Sequence, residues 1–279
     1  MFMLRRSTRF LALLPLLLAA SPAHAGMTSV DLFRNIEYSQ NTAAPPSTET
    51  GTFVAFRAFT QNASDFQTMN VQYSGPTRFL TLSGTTWSYS SPFLADKAAM
   101  DAAYPMGVYQ YNAIGTIPQA AEINYTADAY TDDIPAFTAA TFLALQGMDP
   151  STAFALHFNA FAPNASATTA GTYLSVFGTS FSAALSNSAT SAVLAANTLL
   201  PNTTYTVQLD FSDRIGGISG YLGFNIPTTI GFDRRTDITF TTGDIGGAGV
   251  PEPGSLSLSA LGAGLLAFGI RRRIVRKSV

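Results

Sequence analysis

The chain has 279 residues, no cysteine and two histidines, and its 15 basic residues nearly balance 17 acidic ones. Without cysteine there is no disulfide framework, thiolate nucleophile or thiolate metal site. The balance hides a segregation: between Gly26 and Val250 only 7 basic residues face 16 acidic ones, a net charge of −9, which excludes the clustered Lys and Arg that nucleic-acid phosphates demand.

The N-terminus reads as an export signal. Arg5, Arg6 and Arg9 precede an apolar run, Phe10–Ala20, and Ala23-His24-Ala25 places small residues where signal peptidase inspects the chain, so cleavage is expected before Gly26. As a helix the run would rise only about 16 Å, short of a hydrocarbon core of about 30 Å. Twin-arginine export fits less well, because Ser7-Thr8-Arg9 separates the arginine pair from Phe10-Leu11.

From Gly26 to Thr242 the informative segments alternate. Thr204–Phe211 puts Tyr205, Val207, Leu209 and Phe211 on one face, and Thr204, Thr206, Gln208 and Asp210 on the other. Phe154, Leu156 and Phe158 oppose Ala155, His157 and Asn159, and Ile238 and Phe240 share a third apolar face. Period two with aromatic and β-branched residues, punctuated by Gly, Pro and Asn, predicts short strands in sandwiches. One helix is expected near Leu94–Ala103, and a division near Asp128–Pro135, where a polar stretch ends in proline. The segment Leu199–Tyr205, "LLPNTTY", resembles the tyrosine corner of fibronectin type III-like sandwiches, which implies that the Tyr205 hydroxyl ties its loop to the following strand. Phe93–Tyr111 is similar to a segment found before such modules in secreted bacterial proteins, which bears on architecture alone.

Catalytic chemistry is poorly represented. His157 is the only imidazole left after leader removal, and no G-x-S-x-G elbow supports a serine triad around it. Carboxylate pairs at Asp132-Asp133, Asp210/Asp213 or Asp233/Asp237 are the candidates for glycosidic hydrolysis, but solvated acids dispersed on turns are the expectation. Asp128, Asp132 and Asp133 are a candidate Ca²⁺ set without EF-hand spacing. Arg214–Phe224 carries glycines without phosphate-loop order and reads as a loop between strands. Trp87 and Tyr221, with Tyr89 and Phe224, are candidate glycan contacts, but core or ordinary surface aromatics are the favoured reading in so aromatic a chain. No cofactor and no metal is expected.

The C-terminus carries the densest signal. "GDIGGAG" (Gly243–Gly249) reads as a tether, and Pro251 and Pro253 push Val250 and Glu252 towards extended backbone. Gly254–Ile270 is uncharged and spans about 25 Å as a helix, at the lower limit for crossing a bilayer. Arg271, Arg272, Arg273, Arg276 and Lys277 then form a positive-inside stop, which places the acidic bulk outside the cytoplasm. Ser255, Ser259, Ala263 and Ala267 add a stripe of small side chains, a candidate docking face for a processing enzyme.

Pro251-Glu252-Pro253, the small-residue span and the arginine cluster together resemble the PEP-CTERM family of exported bacterial proteins. The resemblance covers roughly the last thirty residues. It implies recognition by an exosortase, a membrane-embedded cysteine peptidase or transferase that removes the span, in Gram-negative hosts that make exopolysaccharide or biofilm.

The expected protein is all-β, with signal peptide 1–25, a first sandwich-like domain 26–129, and a second, fibronectin type III-like domain 130–243. Linker and motif 244–253 and a transmembrane helix with basic tail 254–279 complete it. Its expected partners are signal peptidase, exosortase and the inner membrane before processing, with the cell surface or matrix as destination. The readings of the body are a structural or interaction protein, an exopolysaccharide-binding module, or a carboxylate hydrolase, the last the weakest.

Overall fold

The computed structural model describes residues 26–245. The expected leader with Ala23 and Ala25, the Pro251-Glu252-Pro253 motif, the membrane helix, its small-residue stripe and the cluster from Arg271 to Lys277 all lie outside the described residues. Among the described residues no helix is long and apolar enough to cross a membrane.

Alternation produces strands along most of the body. In chain order they are β1 (Met27–Ser39), β2 (Glu49–Thr60), β3 (Phe66–Gln72), β4 (Arg78–Phe79), β5 (Thr81–Ser83) and β6 (Thr86–Ser90). After α1 (Lys97–Ala103) come β7 (Gly107–Gly115) and β8 (Gln119–Tyr125). Beyond α2 (Ala139–Leu145) follow β9 (Phe154–His157), β10 (Thr169–Val176), β11 (Ser182–Leu185), β12 (Ser191–Leu194), β13 (Thr204–Ser219) and β14 (Ile226–Thr241). Helix α1 starts within the expected segment because Asp96 caps it, accepting from the Ala99 amide at 2.8 Å. Helix α2 was not anticipated; Thr138 caps it, and seven residues are too few to show a helical period.

The protein is mostly β and sandwich-like. One sheet of eight strands runs in the order β11-β10-β13-β14-β1-β2-β6-β5, a second of four in the order β4-β3-β7-β8, and β12 pairs with β9. The large sheet carries two cores on its inner side. Val30, Leu32, Ile36, Val54, Phe56 and Phe232 pack against Met69, Tyr109, Tyr111 and Tyr125 of the four-stranded sheet. Val207, Leu209, Phe211, Ile238 and Phe240 pack instead against Leu145, Leu156, Phe158 and Leu194. Each side of Thr204–Phe211 falls as its alternation predicts, except that Asp210 is buried too.

The first core draws Ile226, Ile230 and Phe232 from β14, so the chain beyond residue 135 contributes to both cores, and the large sheet runs through them. β13 and β14 are 16 residues each, about 50 Å of strand, long enough to serve both cores. β1 pairs in parallel with β14, from Val30 opposite Thr228 to Ser39 opposite Asp237, so the body's first and last strands adjoin in mid-sheet. Side chains reinforce the join: Gln40 donates to the Phe137 carbonyl at 3.0 Å and accepts from its amide at 2.9 Å, and Thr236 donates to the Pro135 carbonyl at 2.6 Å.

Both ends of the body are held. The Met27 amide donates to Gln119 at 2.7 Å, one residue after the expected leader cleavage. At the other end Gly243 donates to the Met148 carbonyl at 2.8 Å, and Asp244 accepts from Asn202 at 2.7 Å. The expected tether thus stays tied to the body through Asp244. The tyrosine corner forms, with the Leu200 amide donating to the Tyr205 hydroxyl at 2.9 Å.

Candidate functional site

Side chains on the outer side of the large sheet form ordered rows, because paired strands place cross-strand partners side by side. One row runs Asp210–Arg235–Glu37 across β13, β14 and β1. The next runs Ser212–Asp233–Asn35–Phe53, reaching β2. A third runs Arg214–Gly231–Phe33–Ala55–Ser90, reaching β6, and the fourth Thr229–Asp31–Arg57–Ser88. These rows line a cavity of about 280 Å³ that includes Phe33, Asn35, Phe53, Arg57, Ser88, Ser90, Arg214, Asp233 and Arg235.

The expectation of acids dispersed on turns is overturned here. Asp210, Asp213, Asp233 and Asp237 lie within β13 and β14, and three acids surround one guanidinium. Arg235 reaches Asp210 at 3.1 Å, Asp233 at 3.2 Å and Glu37 at 3.8 Å, and lies 5.5 Å from the Phe53 ring centre. Asp233 also accepts from Ser212 at 2.6 Å. Burial pushes the Glu37 carboxyl up to about 7, with Arg235 opposing. Burial also raises Asp210 well above the carboxylate range, helped by Asp233 and opposed by Arg235. Asp237 is raised by burial against its bond from Gln208, and Asp31 by burial against Thr229, Arg214 and Arg57.

The other two arginines of this face are differently placed. Arg214 and Arg57 bracket the Phe33 ring, at 4.8 and 5.0 Å from its centre, and Arg214 lies 5.7 Å from that of Tyr173. Among the described residues neither guanidinium forms an ion pair or a hydrogen bond. Gly231 makes the bracket possible: a Cβ there would stand 2.4 Å from the Phe33 ring, so only glycine lets that ring lie over β14. Asn35, 1% exposed, has a buried side-chain oxygen without a partner. Two exposed aromatics flank the region: Tyr173 at 40%, and Phe93 at 72%, which packs edge-on against Phe53.

The residues singled out from sequence fare unevenly. Trp87 is buried in the first core, because its position on β6 faces inward opposite Ala58, and this removes it as a glycan contact. Tyr221 is half-buried in a short 3₁₀ turn between β13 and β14, so the two aromatics do not share a surface row. Arg214–Ser219 belongs to β13, and the expected loop shrinks to the turn after it. His157 is exposed on β9 opposite Leu156, as its alternation predicts.

Asp128 is engaged by cations rather than left for a metal. It accepts from Tyr125 and pairs with Lys97 at 2.5 Å and Arg34 at 3.8 Å. Burial opposes its charge, but these bonds hold its carboxyl below the usual range. Asp133 instead accepts from the Ala162 amide at 2.8 Å. Among the described residues no three His, Cys, Asp or Glu side chains are grouped to hold a metal ion.

No curated protein matches the chain. Among solved structures, a biofilm-associated protein's BSP domain is 14% identical, covering 78% of this chain and 30% of its own, with a TM-score of 0.22. The FN1–FN3 domains of chicken CNTN1 are 13% identical, over 77% of this chain and 69% of that one, at 0.23. A Ca²⁺-stabilized adhesin from an Antarctic ice-binding bacterium is 12% identical, over 79% and 50%, at 0.22. The chain thus spans less than a third of the biofilm-associated structure, and scores this low establish no shared architecture. Residues 249–273, which contain Pro251, Glu252, Pro253 and Arg271 to Arg273, match the family described as the PEP-CTERM protein-sorting motif. The chain therefore carries a PEP-CTERM sorting signal, which implies an exported protein, anchored transiently in the membrane and sorted by an exosortase.

Proposed function

We propose that this is a non-enzymatic interaction protein of the cell surface or extracellular matrix. Its precursor is held by one C-terminal helix, through a glycine-rich linker, until an exosortase removes that helix. The matched motif at residues 249–273 carries the reading. The acidic body and the small-residue cleavage site before Gly26 are consistent with it. Replacing Pro251 and Pro253 by alanine in the native host should leave full-length protein accumulating in the inner membrane. A variant with the parent's size and fractionation would contradict the sorting step.

A second reading concerns the body: it binds carbohydrate, such as the polysaccharide made by the same cell. The outer face favours this, since its cavity combines hydroxyl, amide and guanidinium groups beside exposed aromatics, the mixture that orients and stacks sugar rings. Hydrolysis is disfavoured by the engagement of Asp210, Asp233 and Glu37 with Arg235. Glycan binding without turnover is the expected result; turnover lost on Asp233→Asn would overturn the non-enzymatic assignment.

A further inference from the structure

We infer that the outer-face cavity binds an acidic saccharide, with Arg57 and Arg214 holding the anionic group of a sugar ring. This rests on the carbohydrate-binding reading and narrows it to a chemical class.

Charge is the first ground. Arg235 has Asp210, Asp233 and Glu37 within 3.8 Å, yet Arg57 and Arg214, lining the same cavity, form no ion pair among the described residues. Asp31 lies opposite Arg57 in the strand register and acts on both guanidinium groups through space, but it pairs with neither, so their N–H forks are free to bind. Their stacking on Phe33 restrains them before any ligand arrives, so less entropy is lost on binding. A planar fork of N–H donors suits a carboxylate or sulfate oxygen pair.

The second ground is independent. Asn35 lines the cavity, and its side-chain oxygen is buried and lacks a donor. A buried acceptor left unpaired costs about 1–3 kcal/mol, and a sugar hydroxyl would supply the missing proton. Ser88 and Ser90 add hydroxyls on the other wall. At about 280 Å³ the cavity is near the lower end of small-molecule pockets, roughly 300 Å³, which fits one ring rather than several. Tyr173 and Phe93, exposed at the margins, offer faces to neighbouring rings of a chain.

The test uses the full-length protein in detergent micelles, titrated by calorimetry with tetragalacturonate, a sulfated tetragalactoside and the neutral tetragalactoside. Binding of at least one acidic oligomer, with the neutral one at least tenfold weaker, is expected. Arg57→Ala and Arg214→Ala should each weaken acidic binding at least tenfold while retaining the parent's circular dichroism and melting temperature. Arg214→Lys, which keeps charge but loses the fork, should fall between. Comparison of the two acidic probes assigns the group as carboxylate or sulfate. Equal binding of neutral and acidic oligomers, or full binding by both alanine variants, overturns the acidic class and leaves carbohydrate binding standing. Failure of all three oligomers to bind overturns both.

Discussion

Arg34 on the inner side of the large sheet, and Arg57 and Arg214 on the outer side beside the acid-paired Arg235, use their guanidinium groups in opposite ways. On the inner side Arg34, fully buried in β1, donates to the Tyr104 carbonyl at 2.8 Å and to Asp101, and lies 4.6 Å from the Tyr125 ring centre. Lys97 joins this network through Asp101 at 2.6 Å and through Asp128, tying α1 to the sheet. On the outer side Arg57 and Arg214 touch rings but no carboxylate. A buried charge must be paired or the fold loses several kcal/mol, whereas a solvated one need not be. The inner arginine therefore belongs to the fold, and the outer pair is available to something outside the chain.

The largest expected effect breaks the inner side. Arg34→Ala empties a fully buried site and leaves the Tyr104 carbonyl without its donor, although Asp101 keeps Lys97, and should cost about 3–5 kcal/mol, read as a fall in urea midpoint. A variant within 1 kcal/mol of the parent would remove the distinction between the faces.

The join between the cores comes next. Gln40→Ala strips both bonds from the Phe137 peptide, and should cost about 2–3 kcal/mol in the same measurement. Gly231→Ala should cost about 1–3 kcal/mol by displacing the Phe33 ring. It should also weaken acidic-oligomer binding, although no ligand contact is removed.

Stability should also fall as pH rises from about 4.5 to 7. Glu37 is raised from 4.5 to about 7, mainly by burial, so over that window the folded chain holds a proton that the unfolded chain has released. The contribution is complete below the unfolded value and lost as pH passes the folded one. Raised Asp31, Asp210 and Asp237 act with the same sign, while lowered Asp128 acts oppositely, at pH below its unfolded value. Glu37→Gln should flatten the slope of melting temperature against pH between 4.5 and 7; an unchanged slope would place the titration elsewhere.

Much of this was legible locally and some was not. Tyr205–Phe211, Phe154–Phe158 and the Tyr205 corner needed only nearby residues, because period two and turn chemistry are short-range. The tail was legible because its matched stretch, residues 249–273, is contiguous. The pairing of β1 with β14 was not, since register between strands about two hundred residues apart leaves no local trace. That pairing gathers Glu37, Asp233 and Arg235, so acids that looked solvated one at a time become a buried cluster. Gly216-Gly217 lies in the stretch that reads as a loop, yet β13 runs through both because β14 pairs along its whole length. Trp87 reads from sequence as either core or glycan contact, because five residues of β6 do not reveal which side of the sheet faces the core; the structure places it in the core.

The smallest expected effect on stability is on the outer side, where Arg57→Ala should stay within about 0.5 kcal/mol of the parent. A larger loss would make Arg57 part of the fold. The most direct measurement follows the arginine side-chain Nε–Hε resonances of the full-length protein by NMR during titration with the acidic oligomer that binds. The Arg57 and Arg214 signals should move in a saturable way while that of Arg34 stays fixed. Movement of the Arg34 signal alone, or none at Arg57 and Arg214 once the oligomer has saturated the protein, would contradict the division of labour between the two faces.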